Sequence, residues 1–199
     1  MLQLPAPNEP LVIGVDEAGR GPLAGPVSVA AVVLDPGCIP AGVADSKALK
    51  AARRESLAEQ IRATALHWSV VLVDVETIDR INILEATLQG MQRAVAQLNC
   101  QIERVLIDGN RAPDLVQQHV ETWVNGDARH ASMAAASILA KVHRDQQMLT
   151  YDQQWPQFGF AQHKGYGTAA HKAALEAHGP CPIHRRSFAP VRRLLAAQH

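Results

Sequence analysis

Val12-Ile13-Gly14-Val15-Asp16-Glu17-Ala18-Gly19-Arg20-Gly21 is an apolar run that closes on two adjacent carboxylates and a small, basic, glycine-rich loop. Runs rich in Val and Ile form buried strands. A carboxylate at the end of such a strand is costly to ionise unless a cation compensates it, so a metal ion is the first candidate partner. Two further segments repeat the pattern. Val105-Leu106-Ile107-Asp108-Gly109-Asn110 closes an apolar run with an acid and a glycine, and Trp123-Val124-Asn125-Gly126-Asp127 places a third acid near the end of a shorter one. Strands that finish side by side would gather Asp16, Glu17, Asp108 and Asp127 at one sheet edge. An all-oxygen set of that kind suits Mg²⁺ or Mn²⁺.

One Asp-Gly pair after a strand is ordinarily a turn, because Asp caps its own backbone and Gly supplies positive φ. Three strand ends of this type are harder to dismiss. Successive strand residues face opposite ways, so Asp16 and Glu17 cannot both ligate from a regular strand. The strand is therefore expected to bend at Glu17, or Glu17 to reach around, with Gly19 and Gly21 easing the bend.

Gly19-Arg20-Gly21-Pro22-Leu23-Ala24 formally fits a dinucleotide-binding fingerprint, with Asp45 at a suitable distance. That fingerprint requires a helix next, whereas Val27-Ser28-Val29-Ala30-Ala31-Val32-Val33-Leu34 reads as a β-branched strand. No Gly-Lys-Ser/Thr follows the glycines either, which excludes a P-loop. What remains is a loop of backbone N–H groups and one guanidinium beside the carboxylates, able to hold a polyanion against metal ions.

A chain of 199 residues that is 47% hydrophobic supports one core and a small appendage. No apolar run reaches the roughly 18 residues of a membrane span. Met1 to Pro7 has neither the basic nor the apolar region of a signal peptide. Cys38, Cys100 and Cys181 are odd in number and widely spaced, which points to reduced thiols and a cytoplasmic protein rather than a disulfide framework or a thiolate zinc site. The formal net charge is zero, but residues 1–128 hold ten Lys/Arg against sixteen Asp/Glu and residues 129–199 hold nine against three. An acidic metal centre joined to a basic, phosphate-binding flank has this asymmetry, and its affinity for nucleic acid should fall with salt.

The fold expected is α/β. After two opening strands, Asp45 or Ser46 is expected to cap a helix from Leu49 to Leu66, with Leu57 and Ile61 on its inner face. Trp68 to Val75 reads as a third strand, Glu76 to Leu98 as a short and then a longer helix, Val105 to Asp108 as a fourth strand, and His119 to Val124 as a fifth. An Ala-rich helix runs from Ala131 to about Tyr151, and shorter helices cover Thr168 to His178 and Pro190 to Ala197. A mixed five-stranded sheet flanked by helices follows. The expected division is an N-terminal tail over 1–10, a catalytic domain over 11–153 and a C-terminal helical extension over 154–199 that grips the substrate.

The motifs Asp16-Glu17-Ala18-Gly19-Arg20-Gly21, Asp45-Ser46-Lys47, Asp108-Gly109-Asn110, Gly126-Asp127, Ala135 to Asp145, His163-Lys164-Gly165-Tyr166 and His184 to Phe188 occur in an order that resembles the bacterial type 2 ribonucleases H, the ribonuclease HII family. The resemblance spans Val12 to Val191. It implies a ribonuclease H-like fold, cleavage of the RNA strand of RNA–DNA hybrids and incision at ribonucleotides embedded in duplex DNA, leaving 5′-phosphate and 3′-hydroxyl ends. It carries the catalytic and metal-binding role onto Asp16, Glu17, Asp108 and Asp127. By the same match the backbone of Gly19, Arg20 and Gly21 reads the ribose 2′-hydroxyl, and Tyr166 packs against the neighbouring sugar. Asn125 stands where a basic residue often precedes the Gly-Asp pair.

Asp145 competes with Asp127 for the fourth ligand position, but it lies four residues after Lys141, the spacing of a plain helical ion pair. Lys47, Lys141 and Lys164 are candidate phosphate contacts, and His163 is read as a basic-patch histidine touching a phosphate or a helix end. Trp68, Trp123 and Trp155 are read as core or domain-contact residues. No serine has nucleophile-elbow context. The expected chemistry is two-metal phosphodiester hydrolysis bridged by Asp16, indifferent to base sequence because the 2′-hydroxyl alone marks RNA. A monomer is expected, with no membrane contact. The tail Leu194 to His199 is read as a helix end rather than a sliding-clamp contact.

Overall fold

The computed structural model describes residues 2–6, 9–43, 50–116 and 118–197. Its sheet is built from β1 (Val12–Ala18), β2 (Val27–Val33), β3 (His67–Val73), β4 (Arg104–Asp108) and β5 (His119–Trp123), in the order β3-β2-β1-β4-β5. β1, β2 and β3 pair antiparallel, while β4 runs parallel to β1 and β5 parallel to β4. The mixed five-stranded sheet and its helical cover are as the pattern of apolar runs predicts.

Every residue of β2 is buried, because helices cover both faces of the sheet. Strand alternation sorts its side chains. Val27, Val29, Ala31 and Val33 pack with Met91, Ala94 and Val95 of α3 (Ile83–Gln97), whereas Ala30 and Val32 meet Leu57 and Ile61 of α1 (Ala51–Thr64) and the alanines of α4 (Ala131–Gln154). Those alanines let α4 lie close. A Cβ at Gly14 of β1 would stand 2.2 Å from the Ser132 carbonyl carbon and 2.4 Å from the Met133 nitrogen, so only glycine fits the crossing.

α1 begins at Ala51 with Lys50 at its N-cap and no side-chain cap bond. The expected caps, Asp45 and Ser46, lie outside the described residues. β3 ends two residues short of the expected Val75, because Asp74 leaves the sheet to cap α2 (Val75–Ile81), its carboxylate accepting from Thr77 N–H at 2.7 Å. Asn82 separates α2 from α3 by adopting φ 69° while its side chain accepts from the N–H groups of Leu84 and Glu85. Trp68 departs from the core role expected of it. It is 41% exposed on the edge strand, its indole donating to the Arg62 carbonyl at 3.2 Å.

In the N-terminal segment, Gln3 exchanges backbone bonds with Arg129 and Ala131 at the start of α4. After α4 come α5 (Phe160–His163), α6 (Ala169–His178) and α7 (Ala189–Ala196). Phe158, Phe160 and Ile183 pack on Ala24 and Met148, and Leu175 and Val191 on Leu23. The loop between β1 and β2 is thus roofed by the C-terminal segment. No helix among the described residues is long and apolar enough to cross a membrane.

Candidate active site

Asp16 sits on the central strand, with its neighbour Val15 paired to Ile107, so Asp108 at the end of β4 lies beside it. Asp127 arrives differently from the strand end expected for it. It belongs to a short 3-10 turn, Gly126–Ala128, beyond β5. Asn125 enters that turn at φ 55°, a left-handed conformation that Asn tolerates better than most residues. Gly126 N–H then donates to the Asp108 carboxylate at 2.7 Å, fixing one acid against the turn that carries another. One oxygen from each of Asp16, Asp108 and Asp127 lies within 4.8 Å of the others.

Glu17 stands outside that trio. The pairing of β1 with β2 stays regular through Ala18 and the turn falls at Gly19, φ +98°, so of the two expected routes the strand does not bend at Glu17 and the side chain reaches around instead. From its own face Glu17 reaches the cleft that it lines with Gly19, Arg54, Asp127, Ser137, Lys141 and Tyr166. Its Oε1 accepts from Arg20 at 3.3 Å, while its buried Oε2 has no hydrogen-bond partner.

The electrostatics of the cluster suit a cation. Burial, with Glu17 and Asp108 beside it, holds the Asp16 carboxyl well above the usual carboxylate range, opposed by the Ser137 hydroxyl and the Glu17 N–H. Burial also pushes Glu17 up; the Arg20 guanidinium opposes this and Asp108 adds to it. Carboxylates crowded in a poorly solvated place, one with an orphaned oxygen, fit hard divalent cations. Asp16, Asp108 and Asp127 each offer an oxygen that could hold one, and Glu17 lines the cleft beside them.

The remaining candidates divide. Tyr166 is 46% exposed and lines the cleft facing Gly21. Lys141 also lines it while pairing with Asp145 at 2.7 Å. Asp145 is thereby engaged on α4, away from the trio. The Lys164 ammonium donates to the Ala161 carbonyl within its own turn. Lys47 lies outside the described residues. Of the two roles expected of His163, the structure has the helix end: one ring nitrogen bonds the carbonyl of Phe158, the last residue of the 3-10 turn Pro156–Phe158, the other bonds Gly165 N, and the ring stacks on His171. Arg54 and Ser137 escaped the sequence reading. Arg54 lies in a helix without a motif, and the serine of the Ala135 to Asp145 motif has no nucleophile context, whereas in the structure Ser137 lines the cleft and its hydroxyl favours the ionised form of Asp16.

Arg144 and Arg185 are the larger surprise. Both belong to the basic second half expected to face phosphate, yet both are buried. Arg144 donates to the carbonyls of Ala24, Pro26 and Lys164, and Arg185 to those of Gly19, Arg20 and Gly25. Burial, with Arg144 nearby, lowers the Arg185 pKa to about 9, which leaves it charged at neutral pH.

A mixed five-stranded sheet with carboxylates gathered where its central parallel strands end defines a metal-dependent nuclease of the ribonuclease H type. The ribonuclease HII family profile matches residues 13–191, and the chain belongs to that family. Ribonuclease HII of Acidovorax sp. (strain JS42) is 60% identical over 187 residues, covering 94% of this chain and 89% of that one. The Dechloromonas aromatica (strain RCB) protein is 58% identical over 186 residues, 94% of each chain. Ribonuclease H2 from Pyrococcus horikoshii OT3 superposes with a TM-score of 0.79 at 28% identity, over 94% of this chain and 98% of that one. Bst-RNase HIII in complex with Mn²⁺ shares the fold, with a TM-score of 0.78 at 22% identity over 94% of this chain and 70% of that one. The chain is a metal-dependent endoribonuclease of the kind that acts on RNA–DNA hybrids.

Proposed function

We propose that this enzyme hydrolyses the RNA strand of hybrids and also incises duplex DNA at embedded ribonucleotides, using two divalent ions, Mg²⁺ or Mn²⁺, held when substrate is bound. The observation that carries the proposal is the convergence of Asp16, Asp108 and Asp127 oxygens within 4.8 Å beside a buried, unsatisfied Glu17 oxygen. Asp16 would serve both ions, with Asp108 and Glu17 holding one and Asp127 helping to hold the other. When bound, such ions supply an activated water and charge for the leaving 3′-oxygen.

The protein's own groups do the rest. The Ser137 hydroxyl favours the ionised form of Asp16, and the Gly126 N–H orients Asp108. The backbone of Gly19, Arg20 and Gly21 reads the ribose 2′-hydroxyl, which is both donor and acceptor and absent from DNA. Tyr166 packs on the adjacent sugar, and Lys141, Lys164 and Lys47 meet phosphates. Residues 11–153 carry the chemistry and 154–199 hold the duplex, while Gln3 braces the start of α4. The enzyme works as a cytoplasmic monomer.

Two duplexes test this: one with a single embedded ribonucleotide and one full hybrid, each incubated with Mg²⁺, Mn²⁺ or EDTA. Both are cut only with metal, leaving 5′-phosphate and 3′-hydroxyl ends. A single-ribonucleotide duplex left intact removes the incision activity, and cutting of an all-DNA control assigns a different substrate.

A further inference from the structure

The loop joining β1 to β2 is tied to the C-terminal segment by backbone bonds at Leu23 and Gly25, and two buried guanidinium groups take up five of its carbonyls. Arg185 spreads its fork over three carbonyls of this one loop, Gly19 at 2.6 Å, Arg20 at 2.9 Å and Gly25 at 2.9 Å. Arg144 takes Ala24 at 3.1 Å and Pro26 at 3.0 Å, and its side chain fills the space a Cβ at Gly19 would need. Neither guanidinium forms an ion pair among the described residues. Burying an arginine with only carbonyl partners is expensive, so the arrangement has to be explained by what it positions.

Peptide geometry supplies the explanation. In a planar trans peptide the C=O and the following N–H point in opposite directions. Drawing the Gly19 carbonyl inward to Arg185 turns the Arg20 N–H outward, and drawing the Arg20 carbonyl inward does the same to the Gly21 N–H. Outside the strands, no backbone hydrogen bond among the described residues uses either N–H. Gly19 lines the cleft, and Gly21 faces Tyr166. The same segment fixes Tyr166 itself. His184, next to Arg185, bonds His171 at 3.0 Å, and His171 bonds the Tyr166 carbonyl at 2.9 Å.

We propose that Arg185 is a positioning residue for ribose recognition: by clamping the Gly19 and Arg20 carbonyls it presets the Arg20 and Gly21 N–H groups to receive a 2′-hydroxyl. This rests on the proposed role of that loop and adds the residue that makes the loop competent before substrate arrives. Lysine cannot reproduce the clamp, since its ammonium is a point charge without a planar fork.

The test uses the full chain with Asp16→Asn, so that duplexes are bound without being cut. Affinity is measured for two duplexes identical except for one ribonucleotide. With Arg185 intact, the ribonucleotide duplex is preferred by about tenfold, the size of one or two neutral hydrogen bonds. Arg185→Lys and Arg185→Gln reduce the preference to below about threefold while leaving affinity for the all-DNA duplex unchanged. A general structural defect would weaken both duplexes alike. Absence of any preference with Arg185 intact overturns the ribose-reading loop itself, whereas a preference that survives both substitutions overturns only the role of Arg185. If the variants do not fold, the intact protein decides. The Arg185 Nε–H must resist exchange with solvent, and the Arg20 and Gly21 amide resonances must move on adding the ribonucleotide duplex but not the all-DNA one. Rapid Nε–H exchange, or equal movement for both duplexes, overturns the proposal.

Discussion

Replacing Asp16 by Asn should make the metal-free protein more stable while disabling it. The substitution keeps an acceptor for the Glu17 N–H, bonded at 2.7 Å, and removes one charge from three acids whose oxygens lie within 4.8 Å. At the 4.8 Å limit of that cluster, two unit charges repel by about 3.5 kcal/mol at an effective dielectric constant of ~20. The wild type escapes part of this by protonating, because burial, Glu17 and Asp108 all raise the Asp16 pKa. A net relief of about 2 kcal/mol is therefore expected at neutral pH. In a chain of this length that raises the melting temperature of the metal-free variant by about 4–8 °C. Metal reverses the order: an ion at about 100 times its Kd stabilises the wild type by about 2.7 kcal/mol, and the variant gains far less. Cleavage falls by at least about a thousandfold, equivalent to about 4 kcal/mol of barrier. Calorimetry in EDTA and in Mn²⁺, with cleavage of a labelled hybrid, measures all three effects. A metal-free variant that melts at or below wild type would show that the acids do not repel, and undiminished cleavage would remove Asp16 from the metal site.

Gly14→Ala should destabilise by about 3 kcal/mol or more, because the new methyl meets α4 backbone at 2.2–2.5 Å and backbone cannot yield as a side chain can; a denaturation midpoint near wild type would refute the close crossing. Acid should destabilise the fold through His130 and His184, whose burial lowers each pKa to about 4. Because the unfolded chain binds more protons than the folded one between that value and about 6.5, stability falls by about 2 kcal/mol per histidine from pH 7.5 to pH 5. Urea titrations across that range check it, and replacing His184 by Gln should flatten the dependence. Tyr166→Ala should leave folding within about 0.5 kcal/mol of wild type, since the ring is half exposed, yet reduce cleavage at a single ribonucleotide about tenfold or more. Unchanged cleavage there would return Tyr166 to a plain surface role.

Much of the framework is written locally in the chain. β1, β2 and β4 announce themselves as apolar runs, and the acids that close them are visible because a buried carboxylate is anomalous in sequence as well as in space. What escaped depends on where a side chain finally goes. Arg144 and Arg185 look like surface charge because composition records their sign and not their burial. His163 carries the same ambiguity, and its ring is consumed by Phe158 and Gly165 rather than by phosphate. Glu17 is expected to join the other three acids, yet it lines the cleft outside the trio, because strand alternation sets its face while side-chain reach sets its contacts. Asp127 was assigned to a strand end, and only the left-handed Asn125 reveals the turn that delivers it.

The clamp on the β1–β2 loop spans nearly the whole chain, with Arg185 lying 166 residues beyond Gly19. At ordinary translation speeds the loop's partner emerges about ten to thirty seconds after the loop itself. A nascent chain can assemble the acidic strands long before that, but it cannot stiffen the segment beside them. On the proposed role of that loop, ribosome-bound intermediates and prematurely terminated products would carry the acidic centre partly built and the discriminating element slack, so that synthesis order itself would delay selectivity until the segment carrying Arg185 has docked.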